Sequence, residues 1–310
     1  MKIFKNRGDI YITKSRFKSS KEQRILLILL AVILIFTIVF VALLSNKYHT
    51  MANFFGGDNP ALTQPAEDGE EEEVMPEISG KTNLLVFETD DNKTVIHYIY
   101  LIHTDSDNLS YKVSVLSPKM RIDKKSITDI FETGGGASLL TKMSEYLGIE
   151  IDYFVQFTRT KFNEFSADLG DFIYLNSETL RFNSGTGDDD YALRINEGEQ
   201  KLNGKEFSNL LRYYSNEKPN FSLANELVLY AVTQVVNSDN LEDSQMLFRK
   251  FIDASSTNIT VRDFENNKDK TYVFSKKNTD VTVYSCAAQF DENGVAAQES
   301  VREIRSYFSK

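Results

Sequence analysis

The apolar positions of this chain fall into three regimes. The first is a block, ILLILLAVILIFTIVFVALL over 25–44, that runs twenty residues without a charge. At ~1.5 Å rise per residue such a helix spans ~30 Å, the thickness of a bilayer's hydrocarbon core. Only Thr37 interrupts it, and its hydroxyl can bond back to its own helix. The block is longer than the ~7–15 apolar residues of a cleavable signal sequence, and FVALLSNKYH offers a poor small-x-small cleavage site. One uncleaved transmembrane helix is therefore expected over 25–44. The second regime has no apolar face at all. GGDNPALTQPAEDGEEEEVMPE holds three of the five prolines and the run Glu70 to Glu73. Such a segment cannot bury a face and repels itself, so 45–80 reads as an extended acidic linker.

The third regime mixes periods of two and 3.6. TNLLVFET, TVIHYIYLIHT and YKVSVLS, separated by Asp, Asn and Ser, predict three neighbouring strands in a meander. Leu139, Leu140, Met143, Tyr146 and Leu147 then repeat at helical spacing, and Gly148 stops them. IEIDYFVQFT returns to strand, KFNEFSADLG to a short helix, and DFIYLN to strand. GKEFSNLLRYYS, SLANELVLYAVTQVVN and DSQMLFRKFIDASS predict helices. KTYVFSKK and TDVTVYSCAAQF predict strands, and AAQESVREIRSYFS closes the chain as a helix. With no repeat and no second linker, residues 81–310 read as one mixed α/β domain, a central sheet packed between helical layers.

Charge gives this order a direction. Residues 1–24 carry eight basic side chains against Asp9 and Glu22, a net +6, so the formal net charge of −10 leaves −16 on residues 25–310. A basic flank held inside places 1–24 in the cytoplasm as a tail, with one crossing and residues 81–310 outside. The net charge argues against a general nucleic-acid binder. A single cysteine, Cys286, allows no intrachain disulfide, which fits a bacterial surface protein better than a stapled secreted eukaryotic domain.

The run Gly134-Gly135-Gly136 before a helix raises the possibility of a phosphate cradle. It carries neither GK[ST] nor GxGxxG, so the glycines read as a turn.

The order and spacing of LLVFETDD, VSVLSPKMRI, GGGASLLTKMSEYLGIEIDYFVQFTRTKFNEFSADLGD and LNGKEFSNLLRYY resemble the extracytoplasmic LytR-CpsA-Psr domain over about residues 82–260. In that family the glycines are scaffold. The resemblance implies transfer of a glycopolymer phosphate from a polyprenyl-pyrophosphate carrier to peptidoglycan. It also implies Mg²⁺ held by carboxylates, arginines forked onto the pyrophosphate, and an apolar slot for the lipid tail.

Carried over by position, Asp90 matches the family's first metal aspartate, although an Asp opening a turn after a strand explains it equally well. Ile96-His97-Tyr98-Ile99 stands where the family has Arg-Ser-Asp-Thr, which removes the second metal carboxylate. His97 in an apolar strand reads as structural, with metal ligation the sharper alternative. Pro118-Lys119-Met120 replaces Pro-Arg-Asp, so Lys119 keeps the charge without the fork, and Arg121 is one pleat further along. Arg212 matches the first Arg of a pair whose second is Tyr214, and SLANELVLYA contains no Arg where two are expected.

The fold-bearing positions thus match where the chemical ones do not. The leading reading is an anchored module with a degraded active site, binding a polyprenyl-pyrophosphate-linked glycan, peptidoglycan or an envelope partner with weak or no catalysis. The alternatives are an active divergent transferase using Asp90, Lys119, Arg121 and Arg212 with Mg²⁺, and a non-enzymatic surface scaffold or sensor. With 22 Phe and 15 Tyr, aromatic side chains are available to line a lipid slot, as well as an ordinary core.

Overall fold

The computed structural model describes residues 75–185, 187 and 189–310. The expected cytoplasmic tail, the apolar block over 25–44 and most of the linker lie outside these residues. Among the described residues no helix is long and apolar enough to cross a membrane.

The three predicted strands form the meander. They are β1 (Lys81–Thr89), β2 (Ile96–Asp105) and β3 (Ser110–Leu116), paired antiparallel in sequence order. Two mini-strands follow, β4 (Arg121–Ile122) and β5 (Lys125–Ser126), before helix α1 (Ile127–Leu147). β6 (Tyr153–Thr158) then lies parallel to β1, and α2 (Arg159–Leu169) starts at its carboxyl end. Two ribbons come next. β7 (Phe172–Asn176) pairs with β10 (Gly198–Leu202), and β8 (Leu180–Asn183) pairs with β9 (Ala192–Ile195). The helices α3 (Gly204–Arg212), α4 (Phe221–Val235), α5 (Ser238–Glu242) and α6 (Ser244–Ala254) follow, with a π-helical turn over Tyr213–Glu217. β11 (Ser255–Thr257), α7 (Val261–Asn266), α8 (Lys268–Lys276), β12 (Thr282–Ser285) and α9 (Gln298–Phe308) complete the chain. The main sheet is mixed, in the order β11-β6-β1-β2-β3-β12.

Alternation along the strands builds two cores. Leu85 and Phe87 of β1 face α1 and α9, where Met143, Leu147, Ile304 and Phe308 are fully buried. Tyr98, Tyr100, Val113 and Val115 face the opposite way, onto Leu210 and Leu211 of α3, among others. The result is the expected sheet between helical layers.

The glycine run is a kink. Gly135 has φ +67° and ψ −171°, a conformation open only to glycine. A Cβ on Gly136 would lie 2.3 Å from the Phe154 ring. The helix expected after the glycines is therefore preceded by about two further helical turns over 127–134, capped by Ser126, whose hydroxyl accepts from the Asp129 amide.

One predicted strand is a helix. KTYVFSKK forms most of α8, and its adjacent Val273 and Phe274 are both buried. Alternation would have sent them to opposite faces. The sheet edge beside β3 is taken by β12, so this segment packs as a helix, with Phe274 4.9 Å from the Tyr111 ring. Aromatic and β-branched content pointed to strand, and tertiary packing overrode it.

Candidate functional site

The carboxyl ends of the parallel strands β1 and β6 carry an ionic cluster on the α3 side of the sheet. Ligand sites in such sheets form outside the carboxyl ends of parallel strands. Leu84 and Val86 point to this face, and the next residue in alternation is Glu88, 1% exposed. Its Oε2 accepts from the Ser208 hydroxyl at 2.8 Å and from Tyr98 at 3.1 Å. Burial, and then the Glu88 charge, push the Tyr98 hydroxyl well above its usual range, so it remains a donor.

His97 owes its place to a bulge. Glu88 pairs with Tyr98 and Thr89 with Ile96, which leaves His97 without an opposite residue. An extra residue of this kind re-aims a side chain. The imidazole, 1% exposed, meets Glu88 Oε1 through Nδ1 at 3.0 Å and Asp189 through Nε2 at 3.0 Å. Both contacts are donations at once only in the imidazolium form. Asn216 donates to the His97 carbonyl.

Two arginines close the cluster. Arg159 opens α2, whose first turn is fixed when Asp91 accepts from the Thr160 amide at 3.0 Å and hydroxyl at 2.6 Å. Its guanidinium donates to the carbonyls of Asp189 at 2.8 Å and Asp190 at 3.1 Å. Arg212 ends α3, which starts with a reciprocal cap between Asn203 and Glu206. Four residues on from Ser208, it shares that residue's helix face. It donates to the Asp189 carbonyl at 2.9 Å and to the carboxylate at 2.8 and 3.3 Å, and it lies 4.8 Å from the Tyr191 ring centre.

Beside the cluster, on the same sheet face, is an apolar cavity of about 540 Å³. Val86, Tyr100, Phe157, Phe162 and Phe207 line it nearest the ionic residues in sequence. Phe165, Phe248, Phe251 and Phe264 line it from the helices α2, α6 and α7. Strand alternation joins the two parts. Val86 precedes Glu88, Phe157 precedes Arg159, and Tyr100 follows Tyr98. The ionic cluster and the apolar chamber thus share one face.

The residues singled out from the sequence are distributed unevenly. Arg212 is in the cluster. Lys119 borders it, with Nζ 3.5 Å from the Asn216 carbonyl. Arg121 is exposed and donates to the Lys124 carbonyl across the β4–β5 turn. Asp90 serves its own turn: Oδ1 accepts from the Thr94 and Val95 amides at 2.6 and 2.7 Å, and Oδ2 from the Thr94 hydroxyl at 2.8 Å. Burial alone would raise its carboxyl, but these bonds hold it below the usual carboxylate value.

The residues do not fit Mg²⁺. That ion demands near-octahedral oxygen ligands. Asp90 has three donors on its two oxygens, and Glu88 and Asp189 each face the imidazole rather than each other. Among the described residues no group of three or more His, Cys, Asp or Glu side chains is placed to hold a metal.

Sequence reasoning passed over Glu88, Arg159, Ser208 and Asp189. Glu88 carried a signal, a charge in register with the apolar face of β1. So did Arg159, directly beyond a strand expected to be buried.

The family model for the LytR_cpsA_psr family matches residues 107–305. No curated protein matches the chain in sequence. Among solved structures, it is similar to a putative transcription regulator from Eubacterium siraeum, with TM-score 0.62 and 16% identity over 81% of this chain and 98% of that one. It is also similar to TagV of B. subtilis, with TM-score 0.58 and 14% identity over 74% and 96%. TagT bound to LI-WTA matches with TM-score 0.54 and 14% identity over 74% and 89%. At these identities the structures speak for the fold. The family match, which spans more than half of the sequence, establishes that this chain belongs to the LytR_cpsA_psr family.

Proposed function

We propose that the protein is an anchored, extracytoplasmic envelope module that binds a polyprenyl-pyrophosphate-linked glycopolymer and turns it over weakly or not at all. The observation that carries this reading is that the two-arginine cluster and the apolar cavity lie on one sheet face, with Val86 and Phe157 of the cavity wall two residues before Glu88 and Arg159. An amphipathic ligand with a multiply charged head and a hydrocarbon tail matches both halves. TagT has been captured with a ligand of the wall-teichoic-acid class, which supports an envelope glycopolymer as the cargo. Weak turnover follows from the missing metal carboxylates. Charge developing on a transferring phosphoryl group would meet guanidinium groups without a divalent ion beside them.

A second reading, an active metal-independent transferase, is favoured by one observation. Arg159 supplies a second guanidinium that alignment to the family's motifs did not provide.

The test incubates the full chain in detergent with a polyprenyl-pyrophosphate-linked glycan and peptidoglycan fragments, with and without Mg²⁺. The expected result is co-purification of the lipid with no polyprenyl phosphate released above the blank. Multiple-turnover release, lost in Arg159→Ala, would establish the transferase. Absence of lipid in the purified complex would leave the surface-scaffold reading.

A further inference from the structure

The donors of the cluster already hold an anion of the chain's own. Arg212 places Nη2 2.8 Å and Nη1 3.3 Å from the two carboxylate oxygens of Asp189. Arg159 Nη1 lies 3.4 Å from one of them and His97 Nε2 3.0 Å from the same one. A guanidinium fork takes a carboxylate and a phosphate in the same way, so the Asp189 carboxylate sits where these donors would hold a phosphoryl oxygen.

The accessibility is asymmetric. The side chains of Arg159, Arg212 and His97 are 13%, 14% and 1% exposed, whereas that of Asp189 is 44% exposed. Its side chain can leave toward solvent while the donors stay. The surrounding turn does not depend on it. Asp190 accepts from the Gly187 amide and the Ser184 hydroxyl, and Ser184 Oγ accepts from the Tyr191 amide at 2.8 Å. The backbone carbonyls of Asp189 and Asp190 are held by the arginines independently of the carboxylate.

We propose that Asp189 is a displaceable internal counter-ion, which compensates the arginines when no ligand is bound and is expelled by a phosphate headgroup. This rests on the reading that the arginines take that headgroup. Unpaired, desolvated guanidinium groups would be costly, and a tethered carboxylate competes at an effective concentration on the millimolar scale. The apparent affinity for any phosphate is then the intrinsic one reduced by the fraction of molecules with Asp189 displaced. Asp189 therefore sets how strong a headgroup must be to enter.

The test measures binding of inorganic pyrophosphate and farnesyl pyrophosphate to the full chain in detergent, for the wild type and for Asp189→Asn, Asp189→Ala and Asp189→Glu. Neutral replacements should tighten both probes by about tenfold or more and by similar factors, because competition scales every ligand alike. Asp189→Glu, which keeps the tethered charge, should stay near the wild type. Without ligand the neutral variants should melt lower, and pyrophosphate should raise their midpoint more than it raises the wild type's. If both neutral variants bind no tighter than the wild type while Arg212→Ala abolishes binding, Asp189 is a fixed scaffold. The counter-ion proposal then fails and the headgroup reading stands. If no variant binds either probe, both fail.

Discussion

Arg159 and Arg212 meet on one acceptor, the backbone carbonyl of Asp189, at 2.8 and 2.9 Å. One guanidinium comes from the first residue of α2 and the other from the last residue of α3, so two cations from different helices converge on one point. Charge-assisted contacts of this kind are worth about 1.5–3 kcal/mol each, or roughly 10–100-fold in affinity. Arg159→Ala and Arg212→Ala should each weaken pyrophosphate binding by about that factor in calorimetric titrations. Arg212→Lys should not restore the wild-type value, because the ammonium loses the fork.

The cavity should contribute through the tail alone. Val232 of α4 lines it and is only half-buried, so Val232→Trp fills space there without touching the ionic cluster. Farnesyl pyrophosphate should bind this variant at least about tenfold more weakly, since each CH₂ denied burial forfeits ~0.8 kcal/mol. Inorganic pyrophosphate should bind as it does to the wild type. Equal losses for both ligands would mean the cavity and the cluster are not parts of one site.

Metal should matter little. EDTA should leave binding of farnesyl phosphate unchanged to within about twofold, because among the described residues no oxygen-rich ligand set stands ready for Mg²⁺. Asp90→Ala should instead cost about 2 kcal/mol of stability in urea unfolding, since it leaves the Thr94 and Val95 amides without their acceptor. A metal-dependent affinity lost in Asp90→Asn would reverse this assignment.

On the other side of the sheet, His103 predicts a pH dependence. Asn83 Nδ2 donates to the carbonyls of Glu150 and Phe308, so Asn83 Oδ1 must accept from His103 Nδ1, at 2.7 Å. Nε2 is then the unprotonated nitrogen, buried without a protein partner among the described residues. Burial, and then the Lys112 charge, bring the His103 pKa down to about 4, with Lys81 and Lys310 adding to the fall and Asp105 opposing it. Between that value and the unfolded value of ~6.5, the unfolded chain binds a proton that the native chain refuses. Stability should therefore fall as pH drops through this window, by at most ~1.4 kcal/mol per unit. His103→Gln should flatten that slope in urea midpoints measured from pH 7 to 4.5, and an unchanged slope would remove His103 as its source.

The sequence carried the meander and the flanking helices because alternation and 3.6-residue spacing are local signals. It also carried Arg212, at the end of a helix whose cap and apolar face are both legible in LNGKEFSNLLR. It did not carry the partner of that arginine. Asp189 lies in the polar stretch between β8 and β9, the two strands of one short ribbon, and nothing local says that its carboxylate faces His97, 92 residues away. The turn of His97 into the cluster depends on a bulge, which slips the register by one residue and leaves the apolar pattern of β2 intact. For KTYVFSKK the local signal was present and misleading, because the edge it would have joined was already occupied by β12.

The central claim is that head site and cavity act on one molecule. Because the chain contains no Trp, a single Phe251→Trp substitution in the cavity wall gives a fluorescence reporter without background. The decisive measurement is the dissociation constant of farnesyl pyrophosphate against those of farnesol and inorganic pyrophosphate, on this variant in detergent and EDTA. Farnesol and farnesyl pyrophosphate are read by the reporter, and inorganic pyrophosphate by calorimetry. Linking head and tail turns the second contact into an intramolecular one, so farnesyl pyrophosphate should bind about 100-fold or more tightly than either fragment. An affinity no greater than that of the better fragment would contradict the account.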